Sequence, residues 1–590
     1  MVDLRANPYY LSDEDIAWVE QTIAGMTDEE KVGQLFFLMT AGVKPDHLKE
    51  LVQKYHCGGI RYNNMPSQYV LEHNRILQEN AKIPVLIAAN PEGGADGAAP
   101  DGTHVAAGIK IGATRNNEYA KALGRVSGAQ CSAMGVNVAF APVCDISYNW
   151  QCTEVLSRAF GNDAARVAEM SRAYLDGAHE TEGFACAAKH FPGNGQDFRD
   201  AHMSNNLNMF GRDEWMATYG HVYKTLIDGG LEAIMGGHIM MPTYMKELDP
   251  DVTLDKVLPA TLCPEIMTGL LRDELGFNGM VVTDASHMVG MSCRMKRSEM
   301  LPACINAGCD MFLFFNDAEE DFGDMLNAYR SGVISEARMT EALKRILGMK
   351  AHMGLHKKAK TEIVPPADQL AAVMQNPEYQ SYATQITKDA LTLVKYQEEG
   401  VLPLSPKKTP RIMIVHVQSA ETPIAILTKL ALGTMGQKNP AESLRDLLIE
   451  KGFDAFIYVS PIDAIKEQLA RGEKPDFNAY LAGKSALADF RAQQDLIITL
   501  CNCDSGRPVF GMTKGGGEIP WYCHEVPVVA ISVASPTLLS ELPMVSTYIN
   551  AYDSKPQTLE ALVDALLIGP EAFKGQDPID SYCGLWDTHM

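Results

Sequence analysis

The chain has 590 residues, 46% hydrophobic, 21% charged and 8% aromatic, with a formal net charge of −23 at pH 7. That length is more than one hydrophobic core usually organises, so two domains of an ordinary globular protein are expected. The distributed negative charge repels phosphate backbones and anionic lipid surfaces, which argues against nucleic acid or a membrane as partner.

The first residues, MVDLRANPYYLSDEDIAWVE, lack the apolar stretch and small-residue cleavage site of a secretory signal. No run of about 18 or more uncharged apolar residues follows, so no membrane-spanning helix is expected. The thirteen cysteines are odd in number and scattered, and Cys501 and Cys503 form only a CxC without the paired spacing of a zinc site. The expectation is a cytoplasmic chain with reduced thiols that serve as small apolar residues.

In chain order, eight short apolar runs occupy 34–38, 58–62, 84–89, 137–142, 184–189, 232–236, 279–283 and 310–315. Continuous apolar runs of this length suit parallel strands buried on both faces. Helical patterns intervene at 70–81, 117–134, 164–182, 264–275 and 317–329, with a last one at 343–355. Eight β–α units in series predict a (β/α)8 TIM-type barrel over residues 1–355. A charged, proline-containing linker covers 356–390, and a second alternation follows. Strands expected at 411–417, 455–460, 495–500, 528–532 and 546–552 predict a smaller α/β sandwich domain with a mostly parallel sheet over 391–590. Its KGGG stretch, Lys514–Gly517, lacks the spacing of a phosphate loop and reads as a turn.

A barrel of this kind works at the carboxyl ends of its strands. The polar residues just past those ends are Asn90 and Glu92, Asp145, Lys189 and His190, His238, and Asp284. Asp284 is either a rigidly held nucleophile or the cap of the next helix. His202 follows Asp200 in FRDAHMS, a D-x-H pair in which the carboxylate can hold the imidazole tautomer and raise its basicity; an ordinary surface turn is the alternative. Lys189 fits either a structural ion pair or the binding of sugar hydroxyls.

KHFPGNG followed by RDAH resembles the signature of glycoside hydrolase family 3, in its bacterial β-N-acetylglucosaminidase branch. MTDEEKVGQLFF, FAPVCDI, SRAFG, MGGHIMMP and PATLCPEIMTGLLRDELGFNGMVVTDA resemble the family in the same order, across 26–355 and more loosely beyond. The resemblance implies Asp284 as nucleophile, His202 as general acid/base supported by Asp200, and Arg158, Lys189 and His190 as holders of sugar hydroxyls. Two departures stand out. The family usually reads D-x-E-G-G where this chain has Asn90-Pro91-Glu92-Gly93-Gly94, and an amide loses the charge-assisted bond of a carboxylate. Asn194 stands where relatives often carry histidine or aspartate.

The implied activity is release of a terminal β-linked N-acetylhexosamine, N-acetylglucosamine first, by double displacement, with catalytic groups about 5–5.5 Å apart. No metal or cofactor is called for, and the expected partner is a small oligosaccharide or glycoconjugate. A neutral imidazole base does not repel an incoming anion, so phosphate can stand in for water, and phosphorolysis is kept as an alternative. So are a β-glucosidase or β-xylosidase of the same family and a silent sugar-binding homologue. The carboxyl-terminal domain is open to three roles: shielding the sugar, binding the aglycone, or forming a homodimer.

Overall fold

The computed structural model describes all residues except 1, 41, 398–399, 420–437, 476–486 and 504–519, so the KGGG turn lies outside the described residues. The chain divides into two compact units, Met1–Gly108 with Asn116–Tyr382, and Ile109–Arg115 with Ala383–Met590. Among the described residues no helix is long and apolar enough to cross a membrane.

The first unit is built on β1 (Phe36–Thr40), β2 (Gly59–Tyr62), β3 (Leu86–Ala89), β4 (Val138–Ala139), β5 (Ala185–Phe191), β6 (Ala233–Gly236), β7 (Met280–Ala285) and β8 (Met311–Leu313). They pair in parallel, each with its sequence neighbours, and β8 closes onto β1 to complete the barrel. All eight expected strands are present, with ends displaced by at most three residues. β4 keeps only two residues of the six-residue run, and the chain beyond it pairs with β5 again at Val143.

Side-chain alternation fixes what faces the lumen. Thr40 Oγ1 meets His73 Nε2 at 2.6 Å, and the Tyr62 ring lies 5.6 Å from that of His73, on the helix Ser67–Asn80 outside the barrel. Their neighbours Met39 and Arg61, paired in register, therefore face inward. The same parity sends Phe37 inward to Phe140, with ring centroids 5.2 Å apart, and Phe36 outward to Phe315 at 4.5 Å. On β7 it points Asp284 into the barrel mouth, two residues beyond buried Val282.

At the opposite end, Asp310 precedes β8 and is fully buried. Its Oδ2 accepts from Arg272 Nη2 and from the Val281 amide at 2.8 and 2.9 Å, and its Oδ1 from Arg338 at 2.8 Å and Arg345 at 3.3 Å. Burial pushes this carboxyl up, but the three guanidiniums outweigh it and hold it below its ordinary value. Replacing Asp310 with alanine would leave buried guanidiniums uncompensated. The expected destabilisation is about 3–5 kcal/mol, read as an early melting transition in calorimetry with little change in KM of the protein that remains folded.

The second unit carries β9 (Thr392–Tyr396), β10 (Arg411–Gln418), β11 (Asp454–Ile457), β12 (Leu496–Asn502), β13 (Val528–Ser532) and β14 (Thr547–Asn550), in sheet order β9-β14-β13-β12-β10-β11. All pairs are parallel except the edge pair β9–β14. Alternate residues of β10 enter two separate cores. Ile412 and Ile414 pack with Leu444, Leu448 and Leu562, whereas Met413, Val415 and Val417 pack with Tyr522, Leu538 and Tyr548. A sheet with both faces covered in this way is the α/β sandwich expected from the continuous apolar runs.

Candidate active site

Asp284 ends β7 with its Oδ1 accepting from the Ala285 amide at 2.7 Å and its Oδ2 lying 3.9 Å from His190 Nε2. Burial is the largest influence on this carboxyl and pushes it up. The charges of His190, His238 and Lys189 and the Ala285 amide more than offset that and hold it below the usual carboxylate range. Asp284 is thus ionised at neutral pH, rigid, and directed at whatever fills the mouth. The helix-cap alternative does not describe it: the short helix Val289–Ser292 is preceded by Met288, which makes no side-chain cap.

β5 delivers Lys189 and His190. Lys189 Nζ lies 2.6 Å from Glu92 Oε1 and donates to Asn90 Oδ1 at 3.4 Å. Arg158 grips the same Glu92 with two parallel bonds, Nε to Oε2 at 2.8 Å and Nη2 to Oε1 at 2.9 Å. Burial favours protonation of Glu92, but these two cations hold it well below its ordinary value. One carboxylate therefore fixes both basic side chains, Arg158 through a bidentate fork and Lys189 through a single contact. His190 Nδ1 meets Asp145 Oδ2 at 2.7 Å, while Asp145 Oδ1 accepts the amides of His190 at 3.1 Å and Asn194 at 2.8 Å.

Asp145 and His238 lie behind the mouth rather than lining it. Asp145 is 0% exposed and turned toward His190. His238 is 1% exposed, with Nδ1 at 2.8 Å from Thr261 Oγ1 and Nε2 at 3.1 Å from the Ala285 carbonyl. Both ring nitrogens are engaged, so His238 braces the strand end that carries Asp284 instead of offering a nitrogen to a ligand.

The loop after β5 carries the dyad. His202 Nδ1 lies 2.8 Å from Asp200 Oδ1, which also accepts the His202 amide at 2.8 Å. The Asp200 hydrogen bond is the main influence on the imidazole and, with Glu154 and Asp284 nearby, raises it above its ordinary value despite partial burial. The side chain is 53% exposed, and its Nε2 has no hydrogen-bond partner among the described residues. The amides of Val289 and Gly290, just past Asp284, donate to the carbonyls of His202 and Ala201 at 3.3 and 2.9 Å. These two bonds tie the dyad loop to the loop that follows the nucleophile candidate.

The sharp KHFPGNG turn depends on its glycines. Gly195 has φ +111°, and a Cβ there would meet the Ile146 carbonyl oxygen at 1.9 Å. Asn194 sits beneath the loop; its Nδ2 donates to Glu154 Oε2 at 2.9 Å and its Oδ1 accepts from Asn206 at 3.1 Å.

Sequence reasoning missed Glu154. Its Oε2 also accepts the Ala201 amide at 3.3 Å, and its Oε1 lies 3.7 Å from His202 Nδ1. Burial raises this carboxyl above its ordinary value. Its one sequence signal was a position four residues before Arg158, whose Nη1 donates to the Glu154 carbonyl at 3.0 Å. Glu154, Asp200 and His202 are also the one group among the described residues whose metal-capable atoms fall within 4.8 Å of one another. The short Asp200–His202 bond makes this cluster suited to handling a proton.

The profile of the glycosyl hydrolase family 3 N terminal domain matches residues 27–349. The chain is 37% identical over its full length and that of a beta-N-acetylglucosaminidase/beta-glucosidase from Cellulomonas fimi. It is 30% identical to a beta-hexosaminidase of Vibrio cholerae over 46% of this chain and 79% of that one. Among solved structures, a beta-glucoside phosphorylase, BglX, superposes with a TM-score of 0.87 at 32% identity, covering 99% of both chains. The fold also recurs in a family 3 beta-N-acetylglucosaminidase from Paenibacillus sp. str. FPU-7, at TM-score 0.76 and 22% identity over 95% of this chain and 100% of that one. With a strand-end cluster of this kind, a profile match over more than half its length and a full-length relative, the chain is a glycosidase that belongs to glycosyl hydrolase family 3.

Proposed function

We propose that the protein releases a terminal β-linked sugar by double displacement, with Asp284 as nucleophile and His202 as general acid/base. The observation that carries this reading is the joining of the two loops. An ionised carboxylate and a carboxylate-backed imidazole belong to neighbouring segments held by direct amide–carbonyl bonds. In the first step an Asp284 oxygen attacks the anomeric carbon while His202 Nε2 gives its proton to the departing glycosidic oxygen. In the second, neutral His202 takes a proton from water as that oxygen attacks the anomeric carbon and the Asp284 ester bond breaks. Asp200, held low by its bond to His202, stabilises the imidazolium. Arg158, Lys189 and His190 orient the sugar hydroxyls, and Asn90 offers its amide on the same side.

The preferred sugar is an N-acetylhexosamine, with N-acetylglucosamine first. This rests on the D-x-H dyad and on relatives named beta-N-acetylglucosaminidase/beta-glucosidase and beta-hexosaminidase. Initial rates on matched aryl β-glycosides of N-acetylglucosamine, N-acetylgalactosamine and glucose test it. A kcat/KM for an N-acetylated sugar well above that for glucose is expected; activity on the glucoside alone would overturn the assignment of sugar. A second reading, transfer to phosphate, is favoured by the full-length likeness to a beta-glucoside phosphorylase. It follows the same first step, and the charge-neutral base admits an anionic acceptor.

A further inference from the structure

Arg61 has no role in the scheme above, yet it occupies the barrel mouth. Alternation along β2 turns it inward, in register with Met39 on β1 and Ala88 on β3, two residues below Asn90. It is half-buried, and its one side-chain hydrogen bond among the described residues runs from Nη1 to Met39 Sδ at 3.9 Å; no carboxylate lies within ion-pair distance of it. Arg158 and Lys189 are both matched by Glu92 on the neighbouring wall. Where the family resemblance leads one to expect an aspartate at position 90, this chain has an amide. Its Oδ1 already faces Lys189, which leaves Nδ2 as a donor. Burial works against the charge on Arg61, while the fields of Glu92 and Asp284 favour it. With no carboxylate at ion-pair distance among the described residues, its donor fork stays free for a ligand, and the guanidinium's partial burial strengthens its pull on an anionic one.

We propose that Arg61, with the Asn90 amide at the end of the adjoining strand, binds a phosphate group brought into the barrel mouth. The planar guanidinium fork matches two phosphate oxygens at once, which a neutral hydroxyl cannot do. This rests on the glycosidase reading of the same site and adds an anionic ligand to it. The phosphate has two chemical sources. It is either an ester on the substrate sugar, lying away from the bond that breaks, or inorganic phosphate acting as acceptor. In the second case dihydrogen phosphate gives a proton to neutral His202 as its oxygen attacks the anomeric carbon. The Asp284 ester bond breaks, and a sugar 1-phosphate leaves.

The test follows turnover of neutral aryl β-glycosides by the full-length protein at rising inorganic phosphate, with ionic strength held by chloride. Wild type is compared with Arg61→Gln and Arg61→Lys, and products are separated. In wild type, millimolar phosphate is expected to change the rate, and the effect should be about 10-fold weaker or more in Arg61→Gln. Arg61→Lys, which keeps charge without the fork, should lie between them and guards against a folding defect in the glutamine variant. Formation of sugar 1-phosphate identifies the acceptor source. Competitive inhibition without incorporation, together with faster turnover of 6-phosphorylated glycosides than of neutral ones, identifies the sugar-borne source. Indifference of wild type both to phosphate and to a sugar phosphate overturns the inference, as does an equal phosphate response in all three proteins. Turnover of the neutral glycosides and its loss in Asp284→Asn need no phosphate. Failure of this inference is therefore separable from failure of the glycosidase reading.

Discussion

Asp284→Asn is expected to lower kcat/KM on every aryl β-glycoside that the protein cleaves, on the order of 10⁴-fold or more. The substitution is nearly isosteric, and the amide oxygen can still accept from Ala285, as the carboxylate does at 2.7 Å. Folding and ground-state binding should therefore change little, and the loss should fall on kcat. Calorimetry and the binding of a slow substrate analogue separate the two effects. Activity retained within 10-fold would move the nucleophile elsewhere in the mouth.

His202→Ala is the second large effect, about 10²- to 10⁴-fold on substrates with poor leaving groups. It should shrink for activated aryl glycosides, whose departing oxygen hardly needs a proton. The pH profile carries a sign that follows from the shifts. His202 must be protonated for the first step. The Asp200 bond raises it, so activity falls as pH rises through a value above its ordinary pKa of about 6.5. Asp284 must be ionised, and despite burial its neighbours hold it low. Activity is therefore lost on the acid side only below the ordinary Asp value of about 3.9. Asp200→Asn removes the main interaction that raises His202, and it should move the alkaline limb toward lower pH. An unmoved limb would mean that another group sets it.

Much of this site can be read from sequence because the barrel converts position into geometry. A residue just past a buried strand, such as Asp284 after MVVT, must emerge at the mouth. The apolar runs marked the strands well for the same reason, since both faces of each are covered. Side-chain partners were harder to foresee. His238 looked like a mouth residue by position, but the hydroxyl of Thr261 and the carbonyl of Ala285 engage both its nitrogens, and neither is signalled along the chain. Glu154 lies in an irregular segment without periodicity, and only the fold brings it to within 3.7 Å of His202. Arg61 sat inside an apolar run as a lone charge, and such a charge in a buried strand was the signal that could have flagged it. β9 was missed because its TLVKY segment places Lys395 in the strand. That lysine is 2% exposed and donates to the Pro543 carbonyl at 3.0 Å, a partner far away in sequence.

The amino-terminal helices Asp13–Ala24 and Asp28–Gln34 show a different omission. Each begins with a capping box, Ser12 with Asp15 and Thr27 with Glu30. The spacing of a hydroxyl residue and an acid three positions on was visible in SDED and TDEE.

The central claim is that a covalent glycosyl ester forms on Asp284. Incubation with a 5-fluoro-β-glycosyl fluoride of the preferred sugar should trap that ester, since the fluorine slows its breakdown more than its formation. Peptide mapping by mass spectrometry then locates the added sugar. A single adduct on the peptide containing MVVTDA, assigned to Asp284 and absent from Asp284→Asn, is the expected result. A stable adduct on another carboxylate, such as Glu92 or Glu154, or steady turnover with inversion at the anomeric carbon, would contradict it.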